Sequence, residues 1–124
     1  MKILVVDDEK DMQLLFQQRF RKEIKNGEVS FMFALSGEEA LKTLQNMEQE
    51  AVLILSDINM PGMSGLELLE KIKHGFKNPP PVVMMITAYG DDENFRRAKQ
   101  LGADDFLTKP LDFTYLKNIL KKIS

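Results

Sequence analysis

Five side chains in this sequence stand where an apolar run ends. Asp7 and Asp8 follow Ile3-Leu4-Val5-Val6, Asp57 follows Val52-Leu53-Ile54-Leu55-Ser56, Thr87 follows Val82 to Ile86, and Lys109 follows Phe106-Leu107-Thr108. A carboxylate at the end of a buried strand is costly to leave unpaired, so a metal ion, a cation or a hydrogen-bond network must compensate it. Two carboxylates about 4 Å apart repel by roughly 4 kcal/mol at an effective dielectric of about 20. Three ionised together therefore require a cation or a raised pKa. The donors are all oxygen, without histidine or cysteine, which suits a hard ion. Mg²⁺ held by one or two carboxylates while keeping several waters is the expected occupant, and Mn²⁺ can substitute. Ca²⁺ is disfavoured by the lack of EF-hand spacing and by too few protein oxygens. Once Mg²⁺ and Lys109 neutralise it, such a site can accept a phosphoryl dianion, with Asp57 as nucleophile and catalysis supplied by alignment and charge compensation.

These residues meet only if the runs that carry them lie side by side. Lys2 to Val6, Val52 to Leu55 and Val82 to Ile86 read as strands buried on both faces, and Pro61, Gly62 and Gly65 break the chain after Asp57 into a loop. Glu28 to Ala34 alternates, with Val29, Phe31 and Phe33 on one face and Ser30, Met32 and Ala34 on the other, as suits a strand near a sheet edge. Asp105 to Thr108 is a short fifth strand.

Five helical segments separate and follow them. Met12, Leu15, Phe16, Phe20 and Ile24 step along one face of the first, which Asn26-Gly27 stops. Ser36-Gly37-Glu38-Glu39 and Ser64-Gly65-Leu66-Glu67 have capping-box spacing and open helices with inner faces Ala40, Leu41, Leu44 and Leu68, Leu69, Ile72. The latter ends near His74-Gly75, and Pro79-Pro80-Pro81 is a stiff lead into the fourth strand. Asp91 or Asp92 caps a helix with the inner face Phe95, Ala98 and Leu101. Asp112 caps the last helix, with the stripe Leu116, Ile119, Leu120 and Ile123. Strands alternating with helices and no hairpin turns predict a doubly wound α/β domain with a five-stranded parallel sheet and five helices. Right-handed crossovers and the need to cover both faces favour the order 2-1-3-4-5, an order that hydrophobic pattern alone does not fix and that would make the first and third strands neighbours.

Composition bounds the rest. At 124 residues the chain suits one domain, residues 1–124, and its 44% apolar and 29% charged residues place it among globular proteins. No apolar run approaches the roughly 18 residues of a membrane span, and the amino terminus lacks the pattern of an export signal. With no cysteine the expected location is a reducing cytoplasm. Lys plus Arg at 17 against Asp plus Glu at 19 leaves a net charge of −2, so no direct nucleic-acid partner is expected.

Asp7-Asp8, Asp57 with the following Asn59-Met60-Pro61-Gly62-Met63-Ser64-Gly65, Thr87-Ala88, and Phe106-Leu107-Thr108-Lys109-Pro110 together resemble the receiver domains of bacterial two-component response regulators, chemotaxis regulators among them. The likeness covers the whole chain, and the ordered set is far more specific than any piece. It implies a flavodoxin-like fold and a phosphorylation-activated switch. Asp57 would take a phosphoryl group from a phosphohistidine on a sensor histidine kinase or phosphotransfer protein. Asp8 and Asp57 would ligate Mg²⁺ through side chains, Asp7 through water and Asn59 through its backbone carbonyl. Lys109 would pair with the phosphoryl oxygens and precede a cis peptide to Pro110. Thr87 and Phe106 would move as the switch. A downstream protein or a fused output domain would bind the face made by the fourth helix, fifth strand and fifth helix. Phe106 stands where many relatives have tyrosine, so without a hydroxyl it is selected by burial alone. Tyr89 is bulky enough to cover the phosphoryl site, and with Asn59 it would control access.

Plainer readings exist for each part. Asp7 and Asp8 could cap the first helix, Asp57 could be a turn residue, Lys109 a surface cation, Thr87 an ordinary strand end and Phe106 core. Taken jointly they would require every one to fall at a strand end by accident. His74 suits a last helical turn, where a cation is favoured by the helix dipole, and has no catalytic role. The eight methionines read as core or adaptable loop. Arg96, Arg97, Lys99, Lys117, Lys121 and Lys122 read as solvated helix faces. Among other functions, a Mg²⁺-dependent aspartate-nucleophile phosphatase of the haloacid dehalogenase type would carry D-x-D after the first strand and a cap domain. A flavin module would place hydroxyls and glycines where this chain has acids. A receiver that binds partners without phosphorylation would not need the acid, hydroxyl and lysine set. The expected protein is an autocatalytic phosphoacceptor and not an enzyme.

Overall fold

Each apolar run becomes a strand, and all five pair in parallel. The computed structural model describes residues 1–46, 52–75 and 81–123. Strands β1 (Lys2–Val6), β2 (Ser30–Ala34), β3 (Val52–Asp57), β4 (Val82–Thr87) and β5 (Asp105–Thr108) form one sheet in the order β2-β1-β3-β4-β5. The predicted strand order is therefore the observed one. Val6 lies opposite both Ala34 and Ser56, Asp57 opposite Ile86, and Thr87 opposite Thr108, so the carboxyl ends finish along one edge.

Side-chain alternation divides the core between the two faces. Leu4, Val6, Ile54, Val83 and Met85 pack on one side with helices α3 (Gly37–Gln45), α4 (Gly65–Gly75) and α5 (Asp92–Gln100). Ile3, Val5, Leu53, Leu55, Met84 and Ile86 pack on the other with α1 (Asp11–Arg19) and α6 (Phe113–Ile123). β2 splits as its alternation predicts, Phe31 and Phe33 joining the second cluster and Met32 and Ala34 the first. Ser36, Ser64, Asp91 and Asp112 all cap, accepting from the amides of Glu39, Glu67, Asn94 and Tyr115. Asp91, not Asp92, takes the cap of α5.

Among the described residues the helices number six, because the first predicted helix breaks at Phe20 into α1 and α2 (Arg21–Lys25). Phe20 leaves helical dihedrals at φ −105° and ψ 18° while its ring stays buried, stacked 6.0 Å from Phe16 and edge-on to Phe31 and Phe113. With the ring anchored, the backbone takes up the bend, and α2 buries none of its residues. Ile24, expected on the inner face, is consequently exposed. Val82 and Ile123, the end residues of β4 and α6, also lie more open than expected, as does Phe95 within α5, whose ring lies against Phe106. β2 begins at Ser30, two residues after the expected Glu28. Lys117 leaves the expected solvated face: its Nζ lies 3.1 Å from Glu23 and over the Phe20 ring. Pro79 and Pro80 lie outside the described residues.

Candidate functional site

The residues that end the strands are held by short local bonds that turn each chain away from the sheet. Asp7 continues β1 by one bond, its amide donating to Ala34 O at 3.1 Å, and its Oδ1 accepts from the Glu9 amide at 2.9 Å. That second bond joins Asp7 to its own loop, so it is not a cap on α1. Asp57 Oδ1 accepts from the Asn59 amide at 3.2 Å, and its Oδ2 accepts from Lys109 Nζ at 2.6 Å. The Lys109 amide donates to Thr87 O at 2.9 Å, which extends the β4–β5 pairing one residue past β5. The Lys109–Pro110 peptide is cis, as the resemblance implied.

One oxygen from each of Asp7, Asp8 and Asp57 lies within 4.8 Å of the others. Asp57 is 2% and Asp7 4% exposed, whereas Asp8 faces solvent. Three carboxylates against the single Lys109 ammonium leave a charge of about 1 − 3 = −2 in a partly dehydrated space. An all-oxygen cluster with that surplus fits a hard dication, and a carboxylate open to solvent leaves room for its retained waters. The acidic pocket is thus able to hold a metal ion.

The same charges move the titrations. Burial pushes the Asp7 carboxyl above its ordinary value, and the neighbouring Asp57 charge adds to this against the bond from the Glu9 amide. Burial opposes the Lys109 ammonium, but its bond and attraction to Asp57, with help from Asp7 and Glu9, raise it above 10.5. For Asp7 the native state holds its proton more tightly than the unfolded chain, so stability falls as pH rises from 3.8 through the folded value. For Lys109 the stabilising contribution is fully present below 10.5 and is lost as pH rises through the higher folded value. In metal-free buffer Asp7→Asn, whose Oδ1 still accepts from Glu9, is expected to denature at higher urea than wild type at pH 7. The gap should close as pH falls towards 4. Equal midpoints at pH 7 would contradict the charge crowding.

Thr87 is buried, and its hydroxyl makes only a 3.5 Å contact with Leu107 O, at the outer limit of a hydrogen bond. Phe106 is half-buried with its ring 4.3 Å from that of Phe95, which is 41% exposed. Asn59 and Tyr89 are exposed, Tyr89 to 89%. His74 is exposed, and Met84 and Met85 are fully buried. The structure brings Asp7, Asp8, Asp57 and Lys109 together at one edge.

Sequence reasoning missed two contributors. Glu9 acts on both Asp7 and Lys109, and an adjacent acid gave no reason to separate its effect from theirs. Gly65, read as a loop breaker and as part of the helix-opening and receiver-like motifs, packs directly on the Asp57 backbone, a contact none of those readings called for. Beside Lys109, an open cleft of 490 Å³ runs between Met12, Leu15 and Arg19 on one wall and Leu111 and Phe113 on the other.

A sequence model of the response regulator receiver domain matches residues 3–121. Sporulation initiation phosphotransferase F of Bacillus subtilis is 34% identical over 121 residues, which is 98% of this chain and 91% of that protein. A cyclic di-GMP phosphodiesterase of Thermotoga maritima is 33% identical over 94% of this chain, but the chain spans only 29% of its length. Among solved structures, chemotaxis protein CheY4 of Vibrio cholerae superposes with a TM-score of 0.81 at 25% identity, covering 99% of this chain and 98% of that one. A response regulator receiver domain from Clostridium thermocellum gives a TM-score of 0.83 at 26% identity, covering 98% of this chain and 91% of that one.

Proposed function

Because this chain belongs to the response regulator receiver domain family, a family of phosphorylation-activated switches in two-component systems, we propose that Asp57 is its phosphoacceptor. The observation that carries this reading is the buried Asp57 carboxylate, bonded to Lys109 at 2.6 Å and grouped with Asp7 and Asp8 at the carboxyl edge of the sheet. A carboxylate oxygen of Asp57 attacks the phosphorus of a phosphohistidine on a sensor histidine kinase or phosphotransfer protein. The P–N bond breaks, its electron pair leaves with the imidazole nitrogen, and an acyl phosphate remains on Asp57. Asp8 and Asp57 would hold Mg²⁺ by side chains, Asp7 through water and Asn59 by its backbone carbonyl. When bound, Mg²⁺ offsets the charge of the carboxylates and of the arriving phosphoryl oxygens.

Lys109, already extended to Asp57, transfers its hydrogen bond to a phosphoryl oxygen. Thr87 gives up little by leaving a 3.5 Å contact, so a phosphoryl oxygen is the better acceptor for its hydroxyl. Its displacement opens space that the Phe106 ring can enter, altering the face formed by α5, β5 and α6. Moving a population from 1:99 to 99:1 takes about 5.5 kcal/mol, and a few charge-assisted hydrogen bonds supply much of that. The altered face would bind a downstream protein or a fused output domain.

In this reading residues 1–124 act as one receiver domain in the cytoplasm, and no helix among the described residues is long and apolar enough to cross a membrane. The domain is a phosphoacceptor whose covalent step happens once per donor, in contrast to a phosphatase that turns over. Incubation with phosphoramidate and Mg²⁺, followed by intact mass, tests it. One added phosphoryl group that EDTA prevents is expected; no gain with Mg²⁺ present, or turnover of a small phosphate ester, would overturn it.

Tyr89 stands two residues beyond Thr87 with room to fold across the acyl phosphate and exclude water. Tyr89→Ala is expected to shorten the lifetime of the phosphorylated species several-fold, measured by mass after donor removal. An unchanged decay rate would remove Tyr89 from the access pair.

A further inference from the structure

The loop from β3 to α4 is tied at its two ends and not at its tip. The Asn59 amide bonds to Asp57 Oδ1, and the Gly65 amide donates to Ile58 O at 2.8 Å. Among the described residues no backbone hydrogen bond reaches Met60, Pro61, Gly62 or Met63. What meets the tip instead is the start of α3. A Cβ placed on Gly37 would lie 2.9 Å from Met63 Sδ, 3.0 Å from its Cγ and 3.1 Å from its Cβ. On the same side, a Cβ on Gly62 would lie 3.1 Å from the Glu38 carboxylate.

Gly37 has no positive φ, so its missing side chain provides space, not torsional freedom. It is the notch into which Met63 fits, and Met63 packs from there onto the core that holds Leu66, Leu69 and Ala40. Rotation of Met63 could carry Sδ and Cγ away from a new methyl group at position 37. It could not move Met63 Cβ, which is fixed to the loop backbone, so the loop itself would have to shift by a few tenths of an ångström.

We propose that Gly37 and Met63 are positioning residues for the acceptor loop: their contact sets where the Asn59 peptide stands relative to Asp57. This rests on the reading of Asp7, Asp8, Asp57 and the Asn59 carbonyl as the metal site. Neither residue touches the reacting atoms. Partners one layer behind a metal site typically alter affinity by about 10–100-fold when changed, because they fix the orientation of the ligands.

Titration calorimetry with Mg²⁺ alone, and the Asn59 amide resonance of the metal-free protein, test the proposal without any phosphodonor. Gly37→Ala is expected to weaken Mg²⁺ binding by about tenfold and to displace the Asn59 resonance. Met63→Ala, which keeps the loop backbone unhindered but unpinned, should also bind more weakly and serves if Gly37→Ala does not fold. Wild-type affinity and an unmoved Asn59 resonance in whichever of these single variants folds overturns the proposal. If wild type itself takes up no Mg²⁺, the metal reading fails, and the Asn59 resonance of the metal-free variants alone decides the positioning claim.

Discussion

Asp57→Asn is expected to take up no phosphoryl group under conditions in which wild type gains one, a loss of at least about a thousandfold in rate. The substitution conserves size and leaves an oxygen able to accept from the Asn59 amide, which Asp57 Oδ1 does at 3.2 Å in the native chain. What it removes is the anionic nucleophile and the charge that the Lys109 ammonium meets at 2.6 Å. Folding should survive, because one of three crowded carboxylates is gone while the β3 backbone pairing with β1 and β4 is untouched. Intact mass after incubation with phosphoramidate and Mg²⁺ is the measurement, with circular dichroism to establish the fold. A folded Asp57→Asn protein that still gains mass at the wild-type rate would move the acceptor elsewhere, with exposed Asp8 the first place to look. Lys109→Ala is the graded companion: it keeps the nucleophile and removes one charge-compensating donor, a change that usually costs about a hundredfold.

The second large effect lies in the scaffold. Gly65→Ala is expected to destabilise the domain by about 3 kcal/mol or more, lowering the melting temperature by roughly 10 °C. A Cβ on Gly65 would sit 2.1 Å from the Asp57 carbonyl oxygen and 2.6 Å from Ile58 Cα. Both are backbone atoms of the strand end that carries the acceptor, so neither can rotate aside. The first turn of α4 must move off β3, taking with it the Gly65 amide that donates to Ile58 O at 2.8 Å. Gly75, at the other end of α4, has no atom within 4 Å of the same added group and an ordinary φ, so Gly75→Ala is the control and should leave the melting temperature close to wild type. A Gly65→Ala protein melting with wild type would mean that α4 packs on β3 less closely than the distances state.

Much of this architecture was legible because its causes are local. Continuous apolar runs at Lys2 to Val6 and Val82 to Ile86 specify strands with two covered faces. Alternation in β2 decides which residues meet which helix layer, and Ser36, Ser64, Asp91 and Asp112 mark helix starts through bonds to amides three residues on. The acids, threonine and lysine could be placed at one edge from chain order alone, since parallel strands all finish on the same side. The receiver likeness then named roles for Thr87, Phe106, Asn59 and Tyr89 that their types alone do not dictate.

Other features depend on pairs of elements far apart in the chain. The break at Phe20 follows from rings on β2 and α6 that hold Phe20 in place, and helical periodicity carries no trace of them. Lys117 left its solvated face for Glu23, a residue nearly a hundred positions earlier. The buried state of Asp7 and Asp57, the exposure of Asp8, and the contacts of Gly65 with Asp57 and of Gly37 with Met63 are likewise products of packing. Sequence by itself determined the strands, most of the helix caps and the kinds of atom brought to the edge, because each is set by residues within a few positions. Only the tertiary structure decided which carboxylate is dehydrated, which of its oxygens meets the lysine and how closely the loop approaches, because those are distances between separately formed elements.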